Sequence, residues 1–254
     1  MNPAEQDSLP APSLGGVTVE LKGVCLSAGG RSLLQDVTFS ADQPRVGIVG
    51  RNGSGKTTLA RVLSGLVAPD HGEARINGTN ISRDRKSALG LVGVLFQNPD
   101  RQIIFPTVEE ELAFGLRQMG IDARDANERV AQILDRFGKA QWATAPTHLL
   151  SQGQKQLVCL MAILSMAPRV IILDEPFSGL DIPTRMRLQR LLDKIDAQTF
   201  HISHDPQHLE RYDRILWIEA GQIRADGPAH KVLPEFTAQM TTWGASDDLS
   251  DLPN

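Results

Sequence analysis

The sequence predicts an α/β protein with a mainly parallel central sheet and an antiparallel sheet at its edge. Three observations carry that expectation. Strand-like and helix-periodic runs alternate through most of the 254 residues, the order that lays helices on the faces of a parallel sheet. The early part of the chain is instead rich in strands. Two short runs, "RVGIVG" and "VIILD", read as strands buried within the sheet.

In chain order, "VTVELKGVCL" (17–26) and "VTFSA" (37–41) alternate apolar and polar residues as half-buried strands do. "RVGIVG" (45–50) leads into "TTLARVLSGL", a helix-competent run. "GEARING" (72–78) and "LVGVLFQ" (91–97) read as further strands. Helical patterns follow at Val108–Met119, Asp125–Phe137 and Gln152–Met166. Then come the strand "VIILD" (170–174), a helix at Thr184–Lys194, the strand "FHIS" (200–203) and a hairpin, "RILWIEAGQIRADG", turning at Ala220-Gly221.

Composition bounds the function. The length suits one large domain, or one domain with a subdomain, and can bury a full core. Hydrophobic residues make up 41% and charged residues 22%, as in ordinary globular chains. The net charge of −4 comes with no basic block, which argues against nucleic acid as a partner. Cys25 and Cys159 sit apart in apolar runs and read as buried, reduced thiols of a cytosolic protein. The longest apolar run, "LVCLMAIL" at 157–164, is far short of the roughly 20 residues a membrane-spanning helix needs. Residues 1–16 read as a disordered leader and not a signal peptide, and 243–254 as a flexible acidic tail.

The chemistry begins at "GRNGSGKTT", Gly50–Thr58, which fits G-x-x-x-x-G-K-[ST] between a strand and a helix. Its glycines let the backbone wrap a phosphate chain, and the loop's N–H groups and helix start point positive ends at it. Lys56 adds a charge at the outer phosphates, and the Thr57 hydroxyl is placed to ligate Mg²⁺. In "VIILDEP", Asp174 emerges at the carboxyl end of a central strand to hold Mg²⁺ through water. Glu175 follows as general base for a water against the γ-phosphate. The bland alternative, a solvated acidic strand end, weakens once the phosphate loop is granted. "LLSQGQKQ" supplies a third element: Ser151 caps the helix that follows, and that helix start is another anion site. Two phosphate-binding helix ends far apart in one chain suggest head-to-tail pairing, each copy closing the other's nucleotide.

"GRNGSGKT", "LSQGQ", "VIILDEP", "SGLD" and "HISHD", in that order, resemble the ATP-binding cassette (ABC) ATPases over about residues 17–235. The resemblance implies a P-loop NTPase core with an antiparallel β-subdomain and a helical signature subdomain at about 98–165, the whole domain covering 17–242. It implies ATP and Mg²⁺ held between two cassettes, in a homodimer or in a heterodimer with a second ABC ATPase, driving a membrane partner from its cytoplasmic face. Residue by residue, Gly50, Arg51, Asn52, Gly53, Ser54, Gly55, Lys56, Thr57 and Thr58 match the phosphate loop. Gln97 matches the glutamine at the subdomain hinge, a magnesium ligand with Thr57 and Asp174. Ser151, Gly153 and Gln154 match the signature that contacts the partner's nucleotide. Ser178–Asp181 match the subunit-crossing loop, and Glu175 and His204 the catalytic carboxylate and the γ-phosphate sensor. Ala28 stands where members of the family stack adenine on an aromatic ring, and Gln152 where the signature usually has glycine. The histidines of "HISHDPQH" suggest a metal site, but on a strand His201 and His204 face opposite ways.

"FQNPDRQIIFPTVEEELAFGL" resembles the energy-coupling factor branch of ABC importers. That resemblance implies a short helix opened by Pro99 and Asp100. Ile103, Ile104 and Phe105 would then dock on a transmembrane coupling protein, with Asp100 facing a basic partner residue and Glu109–Glu111 at the start of the next helix. A substrate-binding membrane subunit would complete the complex. Among cargoes, a transition-metal ion such as nickel or cobalt is favoured, with biotin next because "LDIPTR" and "DGPAHKVLPEF" resemble biotin members. A conventional ABC importer is the alternative, and a non-transport ABC protein a further one from another class.

Overall fold

The computed structural model describes residues 16–245, apart from the side chains of residues 85–87. The proposed leader, except Gly16, and the end of the proposed tail lie outside the described residues. The first part of the chain comprises β1 (Val19–Ala28), β2 (Arg31–Ala41), β3 (Arg45–Val49), α1 (Lys56–Leu63), β4 (His71–Ile76), β5 (Thr79–Asn80), α2 (Arg85–Leu91) and β6 (Val92–Leu95). Three helices follow, α3 (Val108–Gln118), α4 (Ala123–Arg136) and α5 (Gln152–Ser165). The last part comprises β7 (Val170–Asp174), α6 (Ile182–Leu192), β8 (Gln198–Ile202), β9 (Arg214–Glu219), β10 (Gln222–Gly227) and α7 (Ala229–Gly244).

Among the described residues the strands form two sheets. One runs β10-β9-β3-β8-β7-β6, parallel except for the β9–β10 hairpin, and the other is the antiparallel β2-β1-β4-β5. β7 and β8 are buried along their whole length, which explains their lack of alternation. The inner faces of both sheets share one core with α1, in which Phe39 of β2 meets Phe200 of β8 at 6.3 Å between ring centroids.

α5 explains the helical subdomain. It is apolar nearly all round, as a helix buried on two sides must be. Leu157, Val158 and Met161 pack with α3 and α4, while Cys159, Leu160 and Ile163 pack on β6 and β7. The signature segment at its start is therefore carried by the element that joins subdomain to core.

Several boundaries differ from those the sequence suggests. β2 begins six residues before "VTFSA", because Gly29 and Gly30 take positive φ and turn β1 directly into it. His204 lies beyond β8, not on it. α7 is the largest correction. It runs to Gly244, so Trp243 and Gly244 form its last turn and not a flexible tail. Its buried face, Ala229, Val232, Leu233 and Phe236, packs on Trp217 of β9. The i, i+3, i+4, i+7 spacing was there to be read; Pro234 inside it argues against a helix and conceals it.

Candidate nucleotide site

β3 ends at Val49 and α1 starts at Lys56, so the loop between them joins a buried strand end to a helix start. Two of its glycines sit where backbone approaches too closely for a side chain. A Cβ on Gly50 would stand 2.2 Å from the Ile218 carbonyl oxygen. Gly55 has φ +107°, and its Cβ would meet the Leu33 carbonyl oxygen at 2.8 Å. Behind the loop, the Gly221 N–H of the β9–β10 turn donates to the Ser54 carbonyl at 2.9 Å. No side chain caps α1, so its first N–H groups are left for an anion in the cleft they line.

Lys56 is buried, and its Nζ donates to the carbonyls of Gly50 at 2.7 Å and Arg51 at 2.8 Å. Burial lowers its pKa, while the carboxylates of Glu175, Asp174 and Glu219 pull the other way. Phosphate oxygens would replace two neutral acceptors with charged ones. Ser54 points a buried hydroxyl with no hydrogen-bond partner in the protein.

At the end of β7, burial pushes the Asp174 carboxyl above the usual carboxylate range; Thr57 counters this, the Glu175 carboxylate adds to it, and Lys56 and Arg61 pull it back down. A hydroxyl and a carboxylate that line the same cleft are a suitable oxygen pair for a hard cation. Glu175 follows with φ +51°, a left-handed backbone that a non-glycine residue adopts at a cost, fixed by its N–H on the Ile202 carbonyl at 3.0 Å. Its carboxylate meets His204 Nδ1 at 2.8 Å. Gln97 Nε2 donates to Ser178 Oγ at 3.2 Å, which ties the segment after β6 to the loop after β7.

Asn52, Gly53, Gly55, Lys56, Thr57, Thr58, Gln97, Asp174, Glu175 and His204 thus line one cleft of about 380 Å³. Gly50, Arg51 and Ser54 shape the loop without lining that cleft. Ser151, Gly153 and Gln154 are not brought to it. They start α5, where Ser151 Oγ accepts from the Gln154 N–H at 3.3 Å and Gln154 Oε1 accepts from the Ser151 N–H at 2.8 Å. Gly153 packs closely on α6, where a Cβ at this position would force Thr184 to shift. Gln152 is the first helical residue, where a side chain is allowed, and it is exposed.

Of the three histidines in "HISHDPQH", His201 is wholly buried, its imidazole pushed down to about 3 by desolvation. Its ring stacks on His208 and its Nδ1 meets the Tyr212 hydroxyl at 2.8 Å. His204 alone reaches the cleft.

The family model described as ABC transporter matches residues 34–178. The biotin transport ATP-binding protein BioM of Rhodobacter capsulatus is 46% identical over 222 residues, 87% of this chain and 95% of that protein. BioM of Rhizobium etli is 34% identical, covering 87% and 98%. Among solved structures, cbiO1 from Clostridium perfringens, described as part of the ABC transporter complex cbiONQ, matches at TM-score 0.72 and 26% identity over 89% of this chain and 94% of that one. The chain belongs to the ABC transporter ATPases. This ABC ATPase binds ATP, and no helix among its described residues is long and apolar enough to cross a membrane.

Where the family resemblance expects an aromatic platform for the base, the chain has Ala28. Ala28 is exposed and does not line the cleft; Leu33, one strand on, does. Leucine offers any base the same apolar area, without ring stacking. GTP should therefore compete with ATP to within about tenfold, and Ala28→Tyr should tighten ATP binding by up to about 1–3 kcal/mol. Competition binding checks both, and sharp adenine preference in the parent would overturn the reading of Leu33.

A second surface lies at Gln97–Thr107. Pro99–Arg101 form a single 3-10 turn, capped by Asn98, whose side chain accepts from the Asp100 N–H at 2.9 Å. Asp100 pairs with Lys155 of α5 in its own chain at 2.6 Å, while its side chain stays 54% exposed at the edge of the segment. Ile103 is partly core. Ile104 is 64% exposed, beside Phe105, whose ring meets that of Phe114 at a tilt with 5.1 Å between centroids. Glu110 accepts from the Thr107 N–H, while buried Glu111 turns back and accepts the N–H groups of Ile104 and Phe105 at 2.9 and 3.0 Å. The exposed isoleucine is thus presented on a backbone held from behind.

Proposed function

We propose that this ABC ATPase is the energy-coupling subunit of an energy-coupling-factor type importer, with biotin as its cargo. The observation that carries the cargo is the 46% identity to a biotin transport ATP-binding protein over nearly the whole of both chains. It reverses the order of preference drawn from the sequence, where a transition-metal ion stood first. The exposed Ile104 with Phe105 and Phe114, on the segment after Gln97, supports docking on a transmembrane coupling protein.

In this reading two chains pair head to tail, with ATP between one chain's phosphate loop and the other's Ser151–Gln154. Bound Mg²⁺ would neutralise the phosphate oxygens, and Thr57, Gln97 and Asp174 are the residues to hold it. Lys56 leaves its own loop's carbonyls for the outer phosphates. Glu175 orients and deprotonates the attacking water. His204, now paired with Glu175, senses the γ-phosphate, so nucleotide competes with Glu175 for the imidazole. Gln97, tied to Ser178, passes the state of the nucleotide to the docking segment.

The test is reconstitution with the transmembrane coupling and substrate-binding subunits in vesicles. ATP-dependent uptake of labelled biotin, and not of nickel or cobalt, is expected. Ile104→Asp should leave the isolated subunit's melting temperature and ATP hydrolysis near parental, yet abolish co-purification and uptake. Metal uptake without biotin uptake would overturn the cargo, and full uptake by Ile104→Asp would move the docking surface elsewhere.

A further inference from the structure

We propose that Trp243, in the last turn of α7, is a positioning residue for the phosphate loop and acts through Arg51. The Arg51 guanidinium lies over the Trp243 ring, 4.9 Å from its centroid. The contact continues inward. Arg224 of β10 lies 5.8 Å from the same ring and 4.4 Å over Trp217 of β9, and its Nη2 donates to Gln239 of α7 at 3.2 Å. Trp217 is buried, packs edge-on against Phe236, and pairs across the sheet with Val49, the residue before the loop. Alternating rings and guanidinium groups thus run from the sheet, over the end of α7, onto the first turn of the loop.

The loop needs such a restraint because glycine stands at 50, 53 and 55. Its backbone at Gly50 and Arg51 is held in this structure by Lys56, through the two carbonyls that its ammonium contacts. A phosphate chain that draws Lys56 away removes those two bonds. The Arg51 side chain on Trp243 does not depend on Lys56, so it keeps the turn in place as the lysine changes partners. A loop held ready loses less freedom on binding, and that gain appears in affinity, not in turnover. Removal of Trp243 therefore weakens nucleotide binding and leaves the chemical step alone.

The proposal rests on the reading of Gly50–Thr58 as the phosphate loop, and Lys56→Ala is the control for that reading. In the full chain, Trp243→Ala should raise the MgATP Kd and KM about two- to five-fold, the scale of one exposed cation–π contact, with kcat unchanged. Trp243→Phe should restore most of the loss. Arg51→Leu should produce the same rise, and the double variant no more than either alone. Arg51→Leu keeps the tryptophan and α7 in place, so the comparison stands even if Trp243→Ala lowers the melting temperature. An unchanged KM in Trp243→Ala, or an equal further rise in the Arg51→Leu background, would overturn the proposal. Loss of binding in Lys56→Ala alongside such a result would confine the failure to Trp243, whereas unimpaired binding in Lys56→Ala would sink the phosphate-loop reading itself.

Discussion

Glu175→Gln should lower ATP hydrolysis by about 10²–10⁴-fold while MgATP still binds, the loss typical of a missing general base. Glutamine keeps the shape of the side chain and an oxygen to accept from His204, which Glu175 now contacts at 2.8 Å. What it lacks is a basic oxygen to take a proton from water. The left-handed backbone at Glu175 is set by Ile202, not by the carboxylate, so the loop should survive the change. Bound ATP that is not consumed should then accumulate the closed pair of subunits. Steady-state hydrolysis, equilibrium nucleotide binding and size-exclusion chromatography with MgATP read the three consequences separately. Parental turnover would remove Glu175 from the mechanism. Lost binding would make it a structural anchor of the cleft.

The parts of this site that were legible in sequence are those whose chemistry is local. A strand, a glycine-rich turn and a lysine lie within a dozen residues, so "RVGIVGRNGSGKTT" announces both fold and ligand class. "VIILDEP" does the same for the carboxylates, because a strand so apolar along its length fits only inside a sheet. Contacts between distant segments were not legible. Asp100 and Lys155 stand 55 residues apart in sequence, and only the fold of α5 onto the segment after β6 pairs them. Leu33 could not be picked out from two adjacent leucines without knowing which one turns into the cleft. α7 had a helical apolar stripe that Pro234 disguised, and with it went the stack of Trp243 on Arg51. The signature was recognised, yet its distance from the cleft follows only from the architecture: α5 begins on the helical subdomain, and the phosphate loop on the core.

That separation makes the composite site testable. A single chain supplies the phosphate loop, the carboxylates and His204 but leaves Ser151 and Gly153 outside the cleft. Next to Ser151–Gln154 and Ser178–Asp181, the segments that resemble the signature and the subunit-crossing loop, stand Leu149, 72% exposed, Ile182, 63%, and Met186, 58%, an apolar surface that a second copy is suited to cover. On the proposed head-to-tail pairing each working site would need two chains, so specific hydrolysis should fall on dilution. Lys56→Ala and Ser151→Arg should each be nearly inactive alone. Ser151→Arg costs the α5 cap, about 1 kcal/mol, which a folded chain can tolerate and a melting curve can verify. Mixed, the two variants can form a pair in which one site joins the intact loop of one chain to the intact signature of the other. With random pairing in equal amounts, activity should return to at most about a quarter of parental, since half the pairs are mixed and each has one good site. Recovery on mixing cannot arise if each chain works alone. Specific activity that stays constant down to monomeric concentrations, together with no recovery on mixing, would mean that a single chain completes its own site.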